Sequence, residues 1–114
     1  MVASKAVVKI LETYMATYTS ALKASKRFDP PKKIDNLAEL TKSYVSLGNQ
    51  TGEGWLLPGE MLELLEAGCN NIVCMQPFGC LPNHIIGKGV IKGIKKDFPK
   101  ANIIPIAVSY THLT

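Results

Sequence analysis

The sequence predicts an α/β fold with parallel strands, and three observations carry that prediction. Two short β-branched and apolar runs, NNIVCMQ at 70–76 and ANIIPI at 101–106, are bounded by turn residues as strands are. Between them Ile86, Val90, Ile94 and Phe98 recur four apart, the spacing of one helix face. A crossover of this length with a helix inside it joins parallel strands, not a hairpin. The third observation is a long amphipathic stretch ahead of both strands, so the chain reads as a helical N-terminal segment followed by one βαβ unit: a Rossmann-like fragment.

The elements follow in order. From Ser4 to about Arg27, Val7, Val8, Leu11, Met15, Tyr18 and Leu22 recur at spacings of three and four. FDPPKK breaks that helix, because proline cannot continue the hydrogen-bond ladder. A second helix is expected from Asp35, which can cap it, with Leu37, Leu40 and Tyr44 on one face. The stretch SLGNQTGEGW holds three glycines between Gly48 and Gly54, so its backbone must turn sharply or approach a neighbour closely. Trp55 is expected to pack beside this loop, under the rim of the strands. LPGEMLELLEAG then reads as a short helix, with Pro58 in its first position, Glu60 near the positive end of its dipole and Gly68 terminating it. The first strand is expected to be buried on both faces. Asn83 can cap the helix that follows it, and Pro99 stops that helix. Pro105 confines the second strand to an edge or ends it.

At 114 residues there is room for one small domain, and 46% hydrophobic with 19% charged residues is an ordinary globular composition. The formal charge is +4, and its lysines cluster where helices are expected to end, as cations do at the negative end of a helix dipole. Eight aromatic residues and no single strongly basic face leave nucleic-acid binding unsupported. No apolar run suited to a signal peptide or membrane span opens the chain, and three cysteines are an odd number. The expectation is a cytoplasmic protein with free or metal-bound thiols and no membrane partner. Segments 1–47 and 48–106 read as the helical part and the α/β part. Segment 107–114, AVSYTHLT, carries no periodicity that joins it to the βαβ unit, and Met1 reads as an internal methionine. Two strands do not make a stable sheet, so the remaining strands are expected from elsewhere, and association or marginal stability follows.

The stretch CMQPFGCLPNHIIGKG, 74–89, concentrates cysteine, proline and glycine where a strand-to-helix connection needs only a few turn residues. In open α/β sheets ligands sit outside the carboxyl ends of the strands, and this loop occupies that rim. Cys74 and Cys80 stand in a C-x5-C spacing that is not a tight zinc pattern, but two thiols flanked by Pro and Gly suit part of an iron–sulfur ligand set. Cys69, beside a helix end, is expected to pack as a small hydrophobe. His84 is either a ligand or hydrogen-bonding group or a surface residue near the cap. GKGVIKG lacks the order of a nucleotide-binding phosphate loop; Gly87 and Gly89 allow a close approach, with Lys88 a candidate phosphate or CoA contact.

GEGWLLPGEM followed by NIVCMQPFGCLPNHIIGKGVIKGI and ANIIPI resembles the C-terminal part of the large proteins related to the activators of 2-hydroxyacyl-CoA dehydratases, which also resemble the dehydratase subunits. The resemblance runs from about Gly48 to Ile106. It implies an α/β fold and an oxygen-sensitive [4Fe–4S] cluster with Cys80 and Cys74 at the positions that ligate it. It also implies a system that couples ATP hydrolysis to low-potential electron transfer and dehydrates an acyl-CoA by radical chemistry. The ATPase segments are not in this chain, so a fragment inactive alone is expected, partnered by the remainder of its parent protein or by dehydratase and activator subunits. After NIIPI the sequence departs from the family's pattern. Two other readings stand beside it: a non-catalytic α/β interaction domain whose cysteines pack, and a CoA- or nucleotide-binding module that uses Gly87, Lys88 and Gly89 without metal.

Overall fold

The computed structural model describes residues 2–108, and the chain falls into two compact units that divide between Lys32 and Lys33. The division lies before residue 47 because the second helix packs on the third and belongs with the α/β part. In the first unit, α1 (Val2–Ser25) carries Lys23 in its last turn. Its end is closed by Ser25, whose hydroxyl donates to the Leu22 carbonyl and accepts the Arg27 N–H. Val7, Leu11, Met15 and Tyr18 on this helix are exposed.

The second unit runs α2 (Ile34–Thr41), α3 (Leu56–Glu66), β1 (Asn71–Pro77), a π-helical turn (Asn83–Gly87), α4 (Ile91–Asp97) and β2 (Asn102–Val108). β1 and β2 pair in parallel, with Ile72 opposite Ile103 and Cys74 opposite Pro105. β2 therefore takes in Ala107 and Val108 from the segment expected to be atypical; residues 109–114 lie outside the described residues. The core gathers Met61, Leu62 and Leu65 from α3, Ile72 and Cys74 from β1, Ile94 from α4 and Ile103 from β2. Ile94 and Leu62 are its most enclosed aliphatic side chains, each worth about 1.5–3 kcal/mol of transfer from water. Ile86, Val90 and Ile94 all reach this core and Phe98 packs against it, as their spacing predicts.

β1 differs from its expectation: its residues alternate exposed and buried, so only one face is covered. All the helical elements that reach the core do so from the side of Ile72 and Cys74. On the other face Val73, Met75, Ile104 and Ile106 stand exposed.

The ladder has a polarity. The Asn102 N–H donates to the Asn70 carbonyl at 2.7 Å and the Phe78 N–H donates to the Val108 carbonyl at 2.8 Å. Successive residues of a strand direct their backbone groups to opposite edges. Even-numbered residues of both strands thus face the partner strand, and Pro105, an odd one, turns its nitrogen to the outer edge of β2. A proline with no N–H to give is tolerated there.

Helix ends depart from the expected caps in instructive ways. α2 begins at Ile34, with Lys33 at the N-cap and no side-chain cap bond, so Asp35 lies inside the first turn, where it complements the dipole. Pro58 is the third residue of α3, still within the turn whose N–H groups lack helical acceptors, and Glu60 falls beyond that turn. At the other end the expectation holds. Gly68 has φ of 87°, its N–H reaches Leu65 and the Cys69 N–H reaches Leu64, which together make a Schellman closure.

Two contacts tie the helices together. α2 approaches α3 so closely that a Cβ on Gly59 would lie 2.8 Å from the Thr41 hydroxyl oxygen. The Tyr44 hydroxyl donates to Asp97 Oδ2 at 2.8 Å, joining the segment after α2 to the end of α4.

Burial first, and then the hydrogen bond to Asp97, push the Tyr44 hydroxyl up to about 12. Its folded pKa lies above the unfolded value of 10.0, so the protonated form is the one the fold favours. The stabilisation is fully present below pH 10 and is lost as pH rises toward 12. Thermal unfolding midpoints between pH 9 and 12 are expected to fall more steeply for the parent than for Tyr44→Phe; parallel curves would refute the link.

Gly54 has φ of 50° and its missing Cβ would stand 2.0 Å from the Asn49 carbonyl oxygen, which in turn accepts the Trp55 N–H. Half-buried Trp55 is thereby held beside the glycine loop. Gly68 combines positive φ with open space around the Cβ position. Denaturant titration should show Gly68→Ala losing about 1–2 kcal/mol from backbone strain alone. Gly54→Ala should lose clearly more, since strain and a backbone collision add.

Candidate functional site

The carboxyl end of β1, the π-turn and the glycine loop converge around Pro82 and Gly87. A Cβ on Gly52 would lie 2.8 Å from Pro82 Cγ, so the glycine loop lies directly against the start of the π-turn. The position of a Cβ on Gly87 is 3.7 Å from Cys74 Sγ, 3.8 Å from Asn83 Oδ1 and 4.0 Å from Leu57 Cδ1. These are ordinary contact distances, so a methyl group at Gly87 would just fit between the strand and α3.

Cys80 sits where the strand hands over to the helix. Its N–H donates to the Pro77 carbonyl at 3.1 Å, and its own carbonyl accepts the His84 N–H at 3.0 Å. The side chain is half-buried and its Sγ accepts a hydrogen bond from Asn83 Nδ2 at 3.0 Å. Asn83 is therefore not the cap that its position suggests. It belongs to the π-turn, in which the Lys88 N–H reaches back five residues to the Asn83 carbonyl, and it is buried with its amide turned onto the sulfur. Wide turns of this kind insert one extra residue into a helix and recur at functional sites.

Cys74 lies on the covered face of β1, 8% exposed within the apolar core. Burial pushes its thiol up, with nearby Lys88 pulling weakly the other way. Cys69 corrects its expectation. It is exposed, with Sγ 3.5 Å from the Asn71 carbonyl, because the Schellman closure places it outside the helix. His84 is exposed on the π-turn. Gly87 closes that turn, and half-buried Lys88 and exposed Gly89 follow in helical conformation, with the Lys88 N–H already taken by the Asn83 and Ile85 carbonyls.

Gln76 is a residue that sequence reasoning passed over. It is 2% exposed, and neither its amide nitrogen nor its amide oxygen has a hydrogen-bond partner. The signal was present: in a strand whose even positions are Ile72 and Cys74, the next even position is an amide. Asn83 was likewise read only as a cap.

Among the described residues no three His, Cys, Asp or Glu side chains gather as metal ligands do, and no helix is long and apolar enough to cross a membrane. No protein-family model, curated protein or solved structure matches the chain.

An unpaired buried amide costs roughly 1–3 kcal/mol of desolvation. Gln76→Leu keeps the volume and removes the polar atoms, so chemical denaturation is expected to show a gain of that order. A loss of stability would mean that the amide is satisfied in solution.

Proposed function

We propose that this chain is a segment of an iron–sulfur redox protein related to the 2-hydroxyacyl-CoA dehydratases and their activators, working in a reducing cytoplasm, with Cys80 as its cluster ligand. The observation that supports this reading is the seat of Cys80. A half-buried thiol stands at the carboxyl rim of a parallel strand, and the Asn83 amide already donates to its sulfur. Hydrogen bonds to ligand sulfurs are among the means by which proteins tune such clusters.

The residues present fit that group in part. Cys80 is accessible and its backbone is held on both sides. Cys74 is a poorer ligand, since burial favours its neutral thiol and its neighbours are aliphatic. A [4Fe–4S] cluster takes a full set of thiolates. The described residues offer one well-placed thiol, and the others must come from the remainder of the parent protein or from a dehydratase or activator subunit. A bound cluster would supply one-electron transfer at low potential. The chain's own contribution is to orient Cys80 between Pro77 and the first turn of the helix and to aim the Asn83 side-chain N–H at its sulfur. No nucleic acid or membrane enters this reading; an acyl-CoA is the substrate class the resemblance implies.

Anaerobic reconstitution with iron and sulfide tests it, in the parent chain and in a chain that includes the flanking polypeptide. Cys80→Ser should lose nearly all the iron that the parent takes up, whereas Cys74→Ser should keep most of it and lose stability instead, because a hydroxyl replaces a buried thiol. Equal iron and sulfide in Cys80→Ser and the parent would return the loop to a structural role and favour an interaction domain whose cysteines only pack.

A further inference from the structure

We propose that the lysine row Lys88, Lys92 and Lys96, with Lys95 and Lys100 beside it, is a docking surface for an acidic helix of a partner protein. The inference goes beyond the redox reading and does not rest on it. It begins with the phase of the helix. Ile86, Val90 and Ile94 stand four apart and are buried. The three lysines also stand four apart, two residues out of phase with that row, and so lie roughly 200° around the helix from it. Lys92 and Lys96 are exposed and Lys88 is half-buried.

Helix-end electrostatics account for only part of this row. Lys95 and Lys96 lie in the last turn of α4, where cations complement the dipole. Lys92 is the second residue of α4 and Lys88 precedes it, at the end where a cation is disfavoured. Like charges four apart on a helix also repel. Nothing nearby offsets that repulsion. Among the described residues no ion pair reaches any of these five lysines, and the carboxylate beside them in sequence, Asp97, accepts the Tyr44 hydroxyl. The row is a local excess of positive charge that the fold itself does not use.

The distribution of charge selects the partner. Of the seven acidic residues in 33–114, six lie between Asp35 and Glu66, and five of the seven lysines lie between Lys88 and Lys100. The second unit therefore carries no net charge, and a long polyanion, which is drawn by net positive charge, gains little from it as a whole. A compact acidic patch needs only the row. That row is made of lysine alone, and the chain's one arginine, Arg27, lies in the other unit. Arginine is the residue that forks onto phosphates and stacks on bases. Phe98, the aromatic residue next to the row, packs against the core and offers no stacking platform. Carboxylates four apart on a partner helix repeat at about 5–6 Å, the same interval as the lysines, so each can face one without distortion.

Titration of the full chain with a capped helical peptide carrying glutamate at every fourth position tests the proposal, read by amide chemical shifts at low ionic strength. The expected result is saturable binding whose shifts concentrate between Lys88 and Lys100, and which added salt or a glutamine version of the peptide abolishes. Lys92→Glu/Lys96→Glu should weaken binding about tenfold or more, because like charges then oppose each other, while the circular dichroism stays the same. Lys5→Glu/Lys9→Glu changes the net charge equally on α1 and should leave binding unchanged. A peptide that fails to bind the parent chain would overturn the proposal. So would a Lys5→Glu/Lys9→Glu chain weakened as much as Lys92→Glu/Lys96→Glu, which would assign the attraction to net charge. An oligothymidylate of equal charge, or a phosphatidylserine vesicle, that binds the row more tightly than the peptide would overturn a protein helix as its occupant.

Discussion

The parallel register of β1 and β2 is the constraint on which the rest of this structure depends. Setting Cys74 opposite Pro105 commits every even residue of β1 to the ladder and to the covered face at once. That single choice puts Ile72 and Cys74 against Leu62 and Ile94, forces the amide of Gln76 into the same dry layer, and turns the nitrogen of Pro105 to an edge that needs no donor. With both strands turned over at the same pairing, Val73 and Met75 would enter the core and the Pro105 nitrogen would face β1 and interrupt the ladder. The apolar character of both faces does not choose between these arrangements. The proline does.

The candidate site is a consequence of how the chain leaves that ladder. Phe78 makes the last strand bond, Cys80 turns back onto Pro77, and the helix must begin at once if Ile86, Val90 and Ile94 are to reach the core. It opens on a π-turn, in which a bond reaching back five residues widens the backbone. Asn83 and Ile86, three apart and so on one face, are both buried there, and the Asn83 amide finds Cys80 Sγ as its acceptor. The hydrogen bond to Cys80 and the packing of Ile86 thus share one wide turn.

The three thiols separate on physical grounds that their spacing does not reveal. Cys74 is enclosed by aliphatic side chains that favour its neutral form, Cys69 is exposed in the Schellman closure that ends α3, and Cys80 alone combines access with a donor on its sulfur. The glycines separate in the same way. Gly54 is required by a backbone collision, Gly59 by the close passage of α2 over α3, and Gly87 by neither; a Cβ there would make only ordinary contacts.

By itself the sequence determined the elements and their order. Helix periodicity, the proline breaks, the Gly68 terminator and the two β-branched runs are local signals, governed by backbone geometry within a few residues, and they were legible at Val7 to Leu22, at Ile86 to Phe98 and in both strands. The composition of the loop from Cys74 to Gly89 likewise marked where to look. What only the tertiary structure decided is which side chains meet. β1 is covered on one face, because every helical element that reaches the core comes from the same side. Asn83 serves Cys80, because a π-turn replaced the expected cap. Gln76 is buried, because strand alternation in the chosen register leaves it no other face. Each of these depends on contacts between residues distant in the chain, and a periodic pattern carries no information about its partner.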